Sequence, residues 1–357
     1  MKKTLLALAV LAAAGSANAA EVFKTEDASV NLYGQLREYI ESSDIDGKDD
    51  PAINKSSSRV GLEITYDVND DLSVVGKVES ALDSGSELRQ HYIGFASDTY
   101  GSLTFGKHAP LYDDIYGAIY IYHYDMGPYG SDFNDNFFQE NSAQYQYENN
   151  GFWVKGQYNL PENDKSAEMG ELYVGSSFGD LSLHIGGAFM DDSRGKKDAA
   201  GVKTYENKYG HVESTYGEFT AEYAIGDGIV GATYAYNKRD SKSLGIKEES
   251  NSFHVSAKFP VAEKTSLYGA YQYWDWDYSN GIDRDDTHNL ILGAEYKFSS
   301  WAVAYVEYNY RDEDKNFTSN DSGDRYDSGA ITRSGEGTAK SGEGTANNVV
   351  LGARVYW

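Results

Sequence analysis

Two kinds of connection alternate along this chain, and this alternation limits the possible folds more than any other feature. Segments of about ten residues with an apolar residue at every second position, as in β-strands with one apolar face, are joined alternately by short and long connections. The short connections are Asn69–Asp71, Thr99–Gly101, Asn149–Gly151, Gly179–Asp180, Gly226–Gly228, Pro260–Lys264 and Ser299–Ser300. The long, mostly acidic ones are Glu41–Ser57, Asp191–Tyr205, Asn237–Ser250, Asp275–Asp286 and Arg311–Asn347.

Seven short turns and a free terminus give eight hairpins. A soluble β-sandwich has no reason to collect its short turns at one end and its long loops at the other. The segregation is typical of barrels that cross a membrane with strands. The sequence therefore predicts an all-β fold, a 16-stranded antiparallel transmembrane β-barrel.

A long stretch rich in aromatic residues, Gly106–Asn141, separates two alternating segments, Ser102–Lys107 and Ser142–Glu148. A structureless loop of this length is unusual in a compact domain, and its Tyr, Phe and Ile residues need a surface to pack against. The inside of a wide barrel offers such a surface. We therefore expect the loop at about 107–141 to fold inward into a pore whose wall is the rest of the chain.

The first residues carry the features of an export signal. Lys2 and Lys3 precede an apolar run, Leu5–Ala14, and a small-residue cleavage site follows at 17–19. We expect residues 1–19 to be removed and residues 20–357 to form one barrel domain. The apolar run is too short to span a bilayer, and no later segment reaches about 18 consecutive apolar residues, which excludes transmembrane helices but not transmembrane strands.

Composition narrows the classes of partner. The chain contains no cysteine, so no disulfide stabilises it. Loss of Lys2 and Lys3 with the signal takes the formal net charge from −25 to −27, which argues against nucleic acid as a partner. A mean hydropathy of −0.59 beside 31 Tyr, 14 Phe and 37 Gly fits strands that face lipid with alternate residues. Soluble β-rich secreted proteins share such a composition, so the connection lengths carry the membrane prediction.

Several motifs, taken in order, resemble those of one family. They are LYGQ at Leu32–Gln35, RVGLE at Arg59–Glu63, YGSLTFGK at Tyr100–Lys107, DNFF at Asp135–Phe138, and a last strand, Asn348–Trp357, that ends in an aromatic residue. By these motifs the whole mature chain resembles the general, non-specific porins of gammaproteobacterial outer membranes. The resemblance implies a homotrimer of 16-stranded barrels in the Gram-negative outer membrane, in contact with the lipid bilayer and lipopolysaccharide. It also implies a water-filled channel for passive diffusion of ions and small hydrophilic solutes, without catalysis or cofactor.

The resemblance further implies that acidic residues of the inward third loop face basic residues of the wall. On the loop the candidates are Asp113, Asp114, Asp125 and Asp132. On the wall the candidates are Arg59 and Arg89, which match wall arginines of the family, and Arg37 and Lys77, which period two places on polar faces. Carboxylates that face guanidinium groups across a gap favour one sign of ion, so the pore is expected to lean towards cations.

The chain departs from the family pattern at three places. The family's Pro-Glu-Phe-Gly-Gly-Asp turn is replaced by Pro128–Asp132, with Tyr129 in place of the glutamate, and extra residues around Ile119–Tyr124 lengthen the loop. The very short link Asp83–Leu88 argues against the second-loop contact that holds neighbouring subunits in many relatives. The last residue is Trp357 instead of Phe, which keeps the aromatic character needed at a membrane interface.

Aromatic residues gather beside the short turns, where they are expected to form a girdle at that membrane interface. The principal candidates are Trp301 and Trp357, with Tyr66, Phe105, Phe178, Tyr223, Phe259 and Phe298.

Other functions are open to such a barrel. A substrate-selective sugar (oligosaccharide) porin would carry an aromatic track, for which Tyr116, Tyr120, Tyr122, Tyr124 and Tyr129 are candidates, although packing of the loop on the wall explains them equally. External loops could also serve an adhesin or a phage receptor beside the pore.

Enzymatic and metal-binding motifs are weak. The G-x-S-x-G match at Gly175–Gly179 is followed by a turn and another strand, whereas a nucleophile elbow needs a helix. The seven histidines stand singly, without close ligand spacing, and Asp275–Gly281 departs from a calcium loop, so no metal site is expected. An outer-membrane enzyme is therefore the less favoured interpretation.

Overall fold

The computed structural model is a closed antiparallel barrel of sixteen strands, which confirms the predicted fold class. The structure describes residues 19–45, 48–49, 52–55, 57–82, 87–115, 117–128, 138–162, 166–197, 203–205, 210–279, 286–314 and 343–357. Residues 1–18 of the expected signal, and Asp132 of the expected constriction, lie outside this set. Within the set, no helix has the length and apolar character needed to cross a membrane.

In the described part of the chain the elements follow one another in chain order, with one short helix, α1 (Leu111–Asp114), between the strands. The first eight strands are β1 (Ala20–Lys24), β2 (Ala28–Ile45), β3 (Lys48–Asp49), β4 (Ala52–Lys55), β5 (Arg59–Asp67), β6 (Leu72–Ala81), β7 (Leu88–Ser97) and β8 (Gly101–His108). Then come β9 (Gln139–Asn149), β10 (Phe152–Asn159), β11 (Glu168–Phe178), β12 (Leu181–Asp192), β13 (Gly195–Lys197), β14 (Lys203–Tyr205), β15 (Val212–Ile225), β16 (Gly228–Ser241), β17 (Ile246–Ala262), β18 (Thr265–Tyr278), β19 (Thr287–Ser299), β20 (Ala302–Asp314) and β21 (Glu343–Tyr356). The short strands β1, β3, β4, β13 and β14 are additions to the sixteen long ones.

Strand β2 closes the barrel, because it pairs with β5 along one edge and with β21 along the other. Strand β1 continues the position of β21 along β2, with Ala20 opposite Leu32. Strands β1 and β21 meet opposite Gly34 of β2. The Gly34 N–H donates to the Trp357 carbonyl (2.8 Å), and the Gly34 carbonyl accepts from the Trp357 N–H (3.1 Å). The two ends of the chain thus share one strand position, which pairs an edge that would otherwise lie open.

The two faces of the wall have opposite character, because alternate residues of a strand point to opposite sides. On β12, His184 is 6% exposed and its neighbour Ile185 is 61% exposed. On β21, Val350 is fully buried and Leu351 is 58% exposed. Apolar side chains therefore cover the outside, as lipid requires, and the polar face surrounds the lumen.

The predicted aromatic residues lie on the outside of the wall beside the short turns. Trp301 is 53% exposed, and the Trp357 indole packs over Gly34, where a Cβ atom would come within 2.5 Å of the ring. A glycine is therefore needed opposite the last residue. The other exposed members of this group are Tyr66, Phe105, Phe178, Tyr223, Phe259 and Phe298.

Candidate functional site

In the connection from β8 to β9, which we call the inward loop, the described residues 109–115 and 117–128 fold into the lumen. The loop begins with α1, whose Leu111 and Tyr112 N–H groups both donate to the Glu171 carboxylate on β11, each at 2.9 Å. Both side chains are buried in a cluster that includes Met169 and Tyr173 of the same strand. A carboxyl group that accepts from two otherwise free N–H groups at a helix start anchors the loop to β11.

A second anchor holds the loop against β15, β16 and β17. The Ala118 N–H donates to Thr233 Oγ1 (2.8 Å), and the Ala118 carbonyl accepts from the Ser256 hydroxyl. The Tyr120 hydroxyl donates to the Glu222 carboxylate at 2.6 Å. These contacts draw the loop backbone directly onto the wall.

The close approach explains the glycine at position 117. Its φ of +68° is a conformation that residues with a side chain rarely adopt. A Cβ atom there would also come within 2.7 Å of Thr233 Oγ1. Gly117 therefore permits both the turn and the contact.

The third and largest anchor is Glu307 on β20. Its carboxylate accepts N–H groups from Tyr122 (2.5 Å), His123 (3.0 Å) and Tyr124 (3.2 Å). It also accepts the Tyr268 hydroxyl at 3.0 Å. One wall carboxylate thus holds three successive residues at the part of the loop that the sequence marked as an extension.

The Tyr122 side chain reinforces this anchor. Its ring stacks on Tyr305 with centroids 4.6 Å apart, and the Arg354 guanidinium lies 4.7 Å from the ring centroid. Its hydroxyl donates to Glu295, and Arg354 donates to the Tyr122 carbonyl. The same extension reaches β2, where the His123 ring lies 4.3 Å from that of Tyr39.

The loop returns along β18 and β17, and this path decides the position of Asp125. Asp125 Oδ1 accepts from Gln272 Nε2 (2.7 Å) and from the N–H of Gly127 (2.9 Å). The Pro128 carbonyl accepts from the Ser252 hydroxyl at 2.6 Å. Asp125 is therefore hydrogen-bonded to the wall at β18, whereas Asp113 lies on α1; the expectation that both belong to the constriction stays a prediction.

The open side of the lumen is formed by β5 to β8 and by the part of β2 around Arg37, since the hydrogen bonds described above join the loop to strands from β11 round to β21. Arg59 and Arg89 face the lumen here, and Glu79 lies between them. Arg89 Nε is 2.8 Å from Glu79 Oε1, and Arg59 Nε is 3.6 Å from Glu79 Oε2. The Tyr33 hydroxyl also donates to Glu79 (2.8 Å). The structure therefore brings two predicted wall cations together around one buried carboxylate.

The other two wall candidates also face the lumen, in different surroundings. Lys77 Nζ lies 3.6 Å from Glu63 Oε1 on the neighbouring strand. Arg37 Nε donates to the Gln35 amide oxygen at 2.9 Å, and no carboxylate pairs with it among the described residues. Its strongest electrostatic neighbours are the like charges of Arg354 and Arg59.

Asp113 and Asp114 form the acidic end of α1 and are partly accessible from the lumen. Burial, and then the neighbouring Asp114 carboxylate, raises the pKa of Asp113 to about 7. Three wall cations act on Asp113 in the opposite direction, in decreasing order Arg59, Arg89 and Arg37. Of the described loop acids, these two are therefore the ones that face the basic side of the lumen.

The residues that hold the loop, and those at its base, could not be identified from the sequence. The missed anchors are Glu171, Glu222, Glu295, Glu307 and Arg354. At the base, the Arg89 guanidinium and Lys107 Nζ lie 4.5 Å and 6.0 Å from the centroid of the Phe138 ring. The alternation of side chains along a strand indicates that each of these strand residues faces inward, but only the fold shows which group of the loop it contacts.

Comparison with known proteins agrees with this architecture. A family model described as Gram-negative porin matches residues 5–316. The major outer membrane protein of Pasteurella multocida is 23% identical over 345 residues, which cover 88% of this chain and 95% of the relative. The trimer form of OmpT, an outer membrane protein of Vibrio cholerae, is 34% identical with a TM-score of 0.74, covering 93% of this chain and all of the other. An anion-selective porin from Comamonas acidovorans, at 17% identity, shares the fold with a TM-score of 0.69.

Proposed function

The chain belongs to the Gram-negative porin family, and we propose that its channel leans towards cations, admits ions and small hydrophilic solutes, and works as a homotrimer. As a porin it is an outer-membrane barrel that forms a general diffusion channel. The ion preference, the solutes and the assembly are the parts that we infer from its own residues.

The pairing of the wall cations carries the proposed ion preference. Glu79 offsets one of the two charges of Arg59 and Arg89, and Glu63 offsets the charge of Lys77. The basic side of the lumen is therefore less positive than its arginines and lysine alone would make it.

The acids of the loop offset the positive charge that remains on the basic side of the lumen. Within the described residues, Asp113 and Asp114 form no ion pair. Their two carboxylates add negative charge opposite a wall on which only Arg37, of the four predicted cations, lacks a described acidic partner. A net charge of −25 for the whole chain acts in the same direction at longer range.

The loop tyrosines support a general channel over a sugar-selective one. The Tyr120 hydroxyl is bound to Glu222, and Tyr122 stacks on Tyr305, with Arg354 close to both rings. Rings that are packed against the wall in this way cannot stack along a sugar ring. Tyr116 and Tyr129 lie outside the described residues.

The assembly proposal rests on the trimer form of the similar Vibrio cholerae protein and on the outward faces of the strands. Outward positions of β15 to β18 carry exposed rings that suit a lipid interface, namely Phe219, Tyr234, Phe253 and Tyr271. Outward positions of β2, β5 and β6 carry exposed aliphatic side chains, namely Leu36, Ile40, Leu62, Ile64 and Val78. We assign the subunit contact to this aliphatic side and the contacts with bilayer lipid and lipopolysaccharide to the aromatic side.

Planar-bilayer recording with the purified trimer tests the proposal. Under a salt gradient, the reversal potential should have the sign of cation preference, and oligosaccharides should not block the current. Insertion events should show three related conductance levels, and the unheated protein should run as a trimer on a gel. A reversal potential of anion sign would refute the ion preference, and saturable block by an oligosaccharide would favour the sugar porin.

A further inference from the structure

Four neighbouring strands place an acidic residue at the same level on the outside of the barrel. In the strand register, Glu168 on β11 lies opposite Asp191 on β12, Asp191 lies opposite Glu213 on β15, and Glu213 lies opposite Asp240 on β16. Like charges directly opposite each other destabilise a sheet. Three such pairs in one row are unfavourable unless cations join them.

The row lies at the end of the barrel that carries the long loops. Asp191 is the eleventh residue after the short turn that precedes β12, which ends at Asp192. At about 3.3 Å per residue and a tilt of about 40°, this distance crosses most of the hydrocarbon layer. The row therefore meets the outer interface, above the exposed apolar side chains Ile185 and Phe189 of the same strand.

A histidine joins the centre of this row. His211, immediately before β15, lies with its Nε2 atom 2.8 Å from Asp191 Oδ1. One ligand atom from each of Asp191, His211 and Glu213 lies within 4.8 Å of the others. All three side chains keep access to the outside, with 44%, 27% and 50% of their surface exposed.

The backbone around the histidine is fixed before any ligand binds. The His211 N–H donates to the Ser243 hydroxyl at 3.0 Å, and the Lys242 N–H donates to the His211 carbonyl at 2.8 Å. The preceding Gly210 has φ of +79°, and a Cβ there would come into contact with Ser243. These constraints place the imidazole over the register pair Asp191–Glu213 and lower the cost of ordering it.

We propose that Asp191, His211 and Glu213 bind a divalent transition-metal ion of the Zn²⁺ type on the outer surface of β12 and β15. One imidazole nitrogen and two carboxylate oxygens are a ligand set that such ions accept, while Mg²⁺ and Ca²⁺ prefer oxygen alone. Three protein ligands leave further coordination positions, which here face away from the barrel. The bound ion would tie two strand ends together and offset two carboxylates of the row.

Lys242 is the competitor for this position. Its Nζ lies 2.8 Å from Glu213 Oε2 and 2.7 Å from Asp240 Oδ2. When a metal ion takes Glu213, Lys242 retains Asp240. Removal of the lysine charge should therefore tighten metal binding, whereas a cluster that serves only as a salt-bridge network would show no such gain.

Spacing in the sequence could not indicate this site. His211 and Asp191 are 20 residues apart, and the ligands meet because β12 and β15 are paired in the barrel. The expectation of no metal site was drawn from close ligand spacing alone, which cannot test ligands on neighbouring strands.

The test is calorimetric titration of Zn²⁺ into the purified, folded trimer, with excess Mg²⁺ present to occupy oxygen-only sites. We expect one saturable site per chain. H211A and D191N should each lose at least about tenfold in affinity, since even an outer-shell partner of a metal ligand contributes about 10- to 100-fold. K242A should bind more tightly than the unmodified chain. H288A, at an outward-facing histidine bound to the Tyr271 hydroxyl, is the matched control and should leave affinity unchanged.

A second measurement identifies the ligands directly. The visible absorption of bound Co²⁺ should show a low-symmetry site in the unmodified chain and in H288A, and should be absent from H211A. Gel mobility of the unheated trimer confirms that each variant is folded. Failure of the unmodified trimer to saturate with Zn²⁺, or equal affinity in H211A and H288A, would overturn the proposal without bearing on the ion preference of the pore.

Discussion

The two sides of the lumen use the same side chain for different purposes. On the side covered by the inward loop, wall glutamates accept hydrogen bonds from loop N–H groups and tyrosine hydroxyls; they are Glu171, Glu222, Glu295 and Glu307. On the open side, Glu63 and Glu79 pair with basic residues of their own wall. Carboxylates on the first side mainly bind the loop, with Glu295 also 2.5 Å from Lys258 Nζ, and carboxylates on the second side mainly pair with wall cations.

The difference follows from the groups that the carboxylates contact, which are mainly loop N–H groups on one side and basic side chains on the other. Backbone N–H groups of an irregular loop have no partners of their own, and burial without an acceptor costs about 1–3 kcal/mol for each group. Arginines in a water-filled lumen remain partly hydrated, so their pairing with Glu79 contributes less to stability. Substitutions on the two sides should therefore produce different kinds of defect, and the four predictions below separate them.

The largest effect is expected for Glu307→Ala. Three loop N–H groups, of Tyr122, His123 and Tyr124, would lose their acceptor together, a loss of about 3 kcal/mol or more of anchoring. The loop tip should then leave the wall for part of the time. Single-channel recording should show larger open-state noise and a changed mean conductance, with little change in the amount of folded trimer.

Glu148→Ala provides the matched control, because Glu148 is exposed at the short-turn end of β9 and should leave the current unchanged. If the open-state noise of Glu307→Ala is as low as that of this control, the stack of Tyr122 on Tyr305 suffices to hold the loop, and the carboxylate is not the main anchor.

The periodic parts of the molecule could be predicted from the sequence, and the irregular parts could not. Alternation of side chains places Arg37 and Lys77 on the inward face, because a shift by one residue would move every side chain of the strand to the other face, and the family resemblance indicates Arg59 and Arg89. Sixteen strands follow from counting turns. The structure agrees with both inferences, and the role of these residues in selectivity stays a prediction.

The inward loop has no period, so the direction of each acid could not be read from its position. Asp125 and Asp113 look alike in the sequence, yet Asp125 binds Gln272 on the wall. The anchors were equally hidden, since Glu171 lies 60 residues from Leu111, and Glu307 lies 185 residues from Tyr122. Contacts at such separations depend on the closed barrel, which brings distant strands around one loop.

The second prediction concerns the open side. Arg59→Ser combined with Arg89→Ser should widen the lumen and leave Glu79 without these two cations. A charge about 6 Å from a passing ion in water changes the permeability by about a factor of three. Loss of both arginines should therefore raise cation permeability by up to about tenfold. Adding Glu79→Gln to the double variant should reverse part of this rise. Reversal potentials under a salt gradient measure both steps, and an unchanged value in the double variant would show that these arginines do not line the path of the ions.

The third prediction compares acids of the loop with each other. Asp113→Asn with Asp114→Asn should move the permeability ratio towards anions by about threefold or more. Asp125→Asn should do much less, because its carboxylate is held behind the loop by Gln272 and the Gly127 N–H. Neutralising Asp44 and Asp49, in the first long connection of the sequence, should also have little effect, since salt screens charges more than about 10 Å from the path of the ions. A shift in Asp125→Asn as large as in the double variant would contradict the position assigned to it.

The smallest effect is expected from pH. Because burial and Asp114 raise the pKa of Asp113 to about 7, its carboxylate is mostly ionised above that value and mostly neutral below it. Cation preference should therefore fall, by at most about threefold, as the pH is lowered from about 8 to about 6, a range in which ordinary carboxylates stay ionised. Asp113→Asn is recorded in parallel with the unmodified chain. Loss of the pH dependence in Asp113→Asn would identify the loop acid as its source, and an unchanged pH dependence in this variant would contradict the prediction.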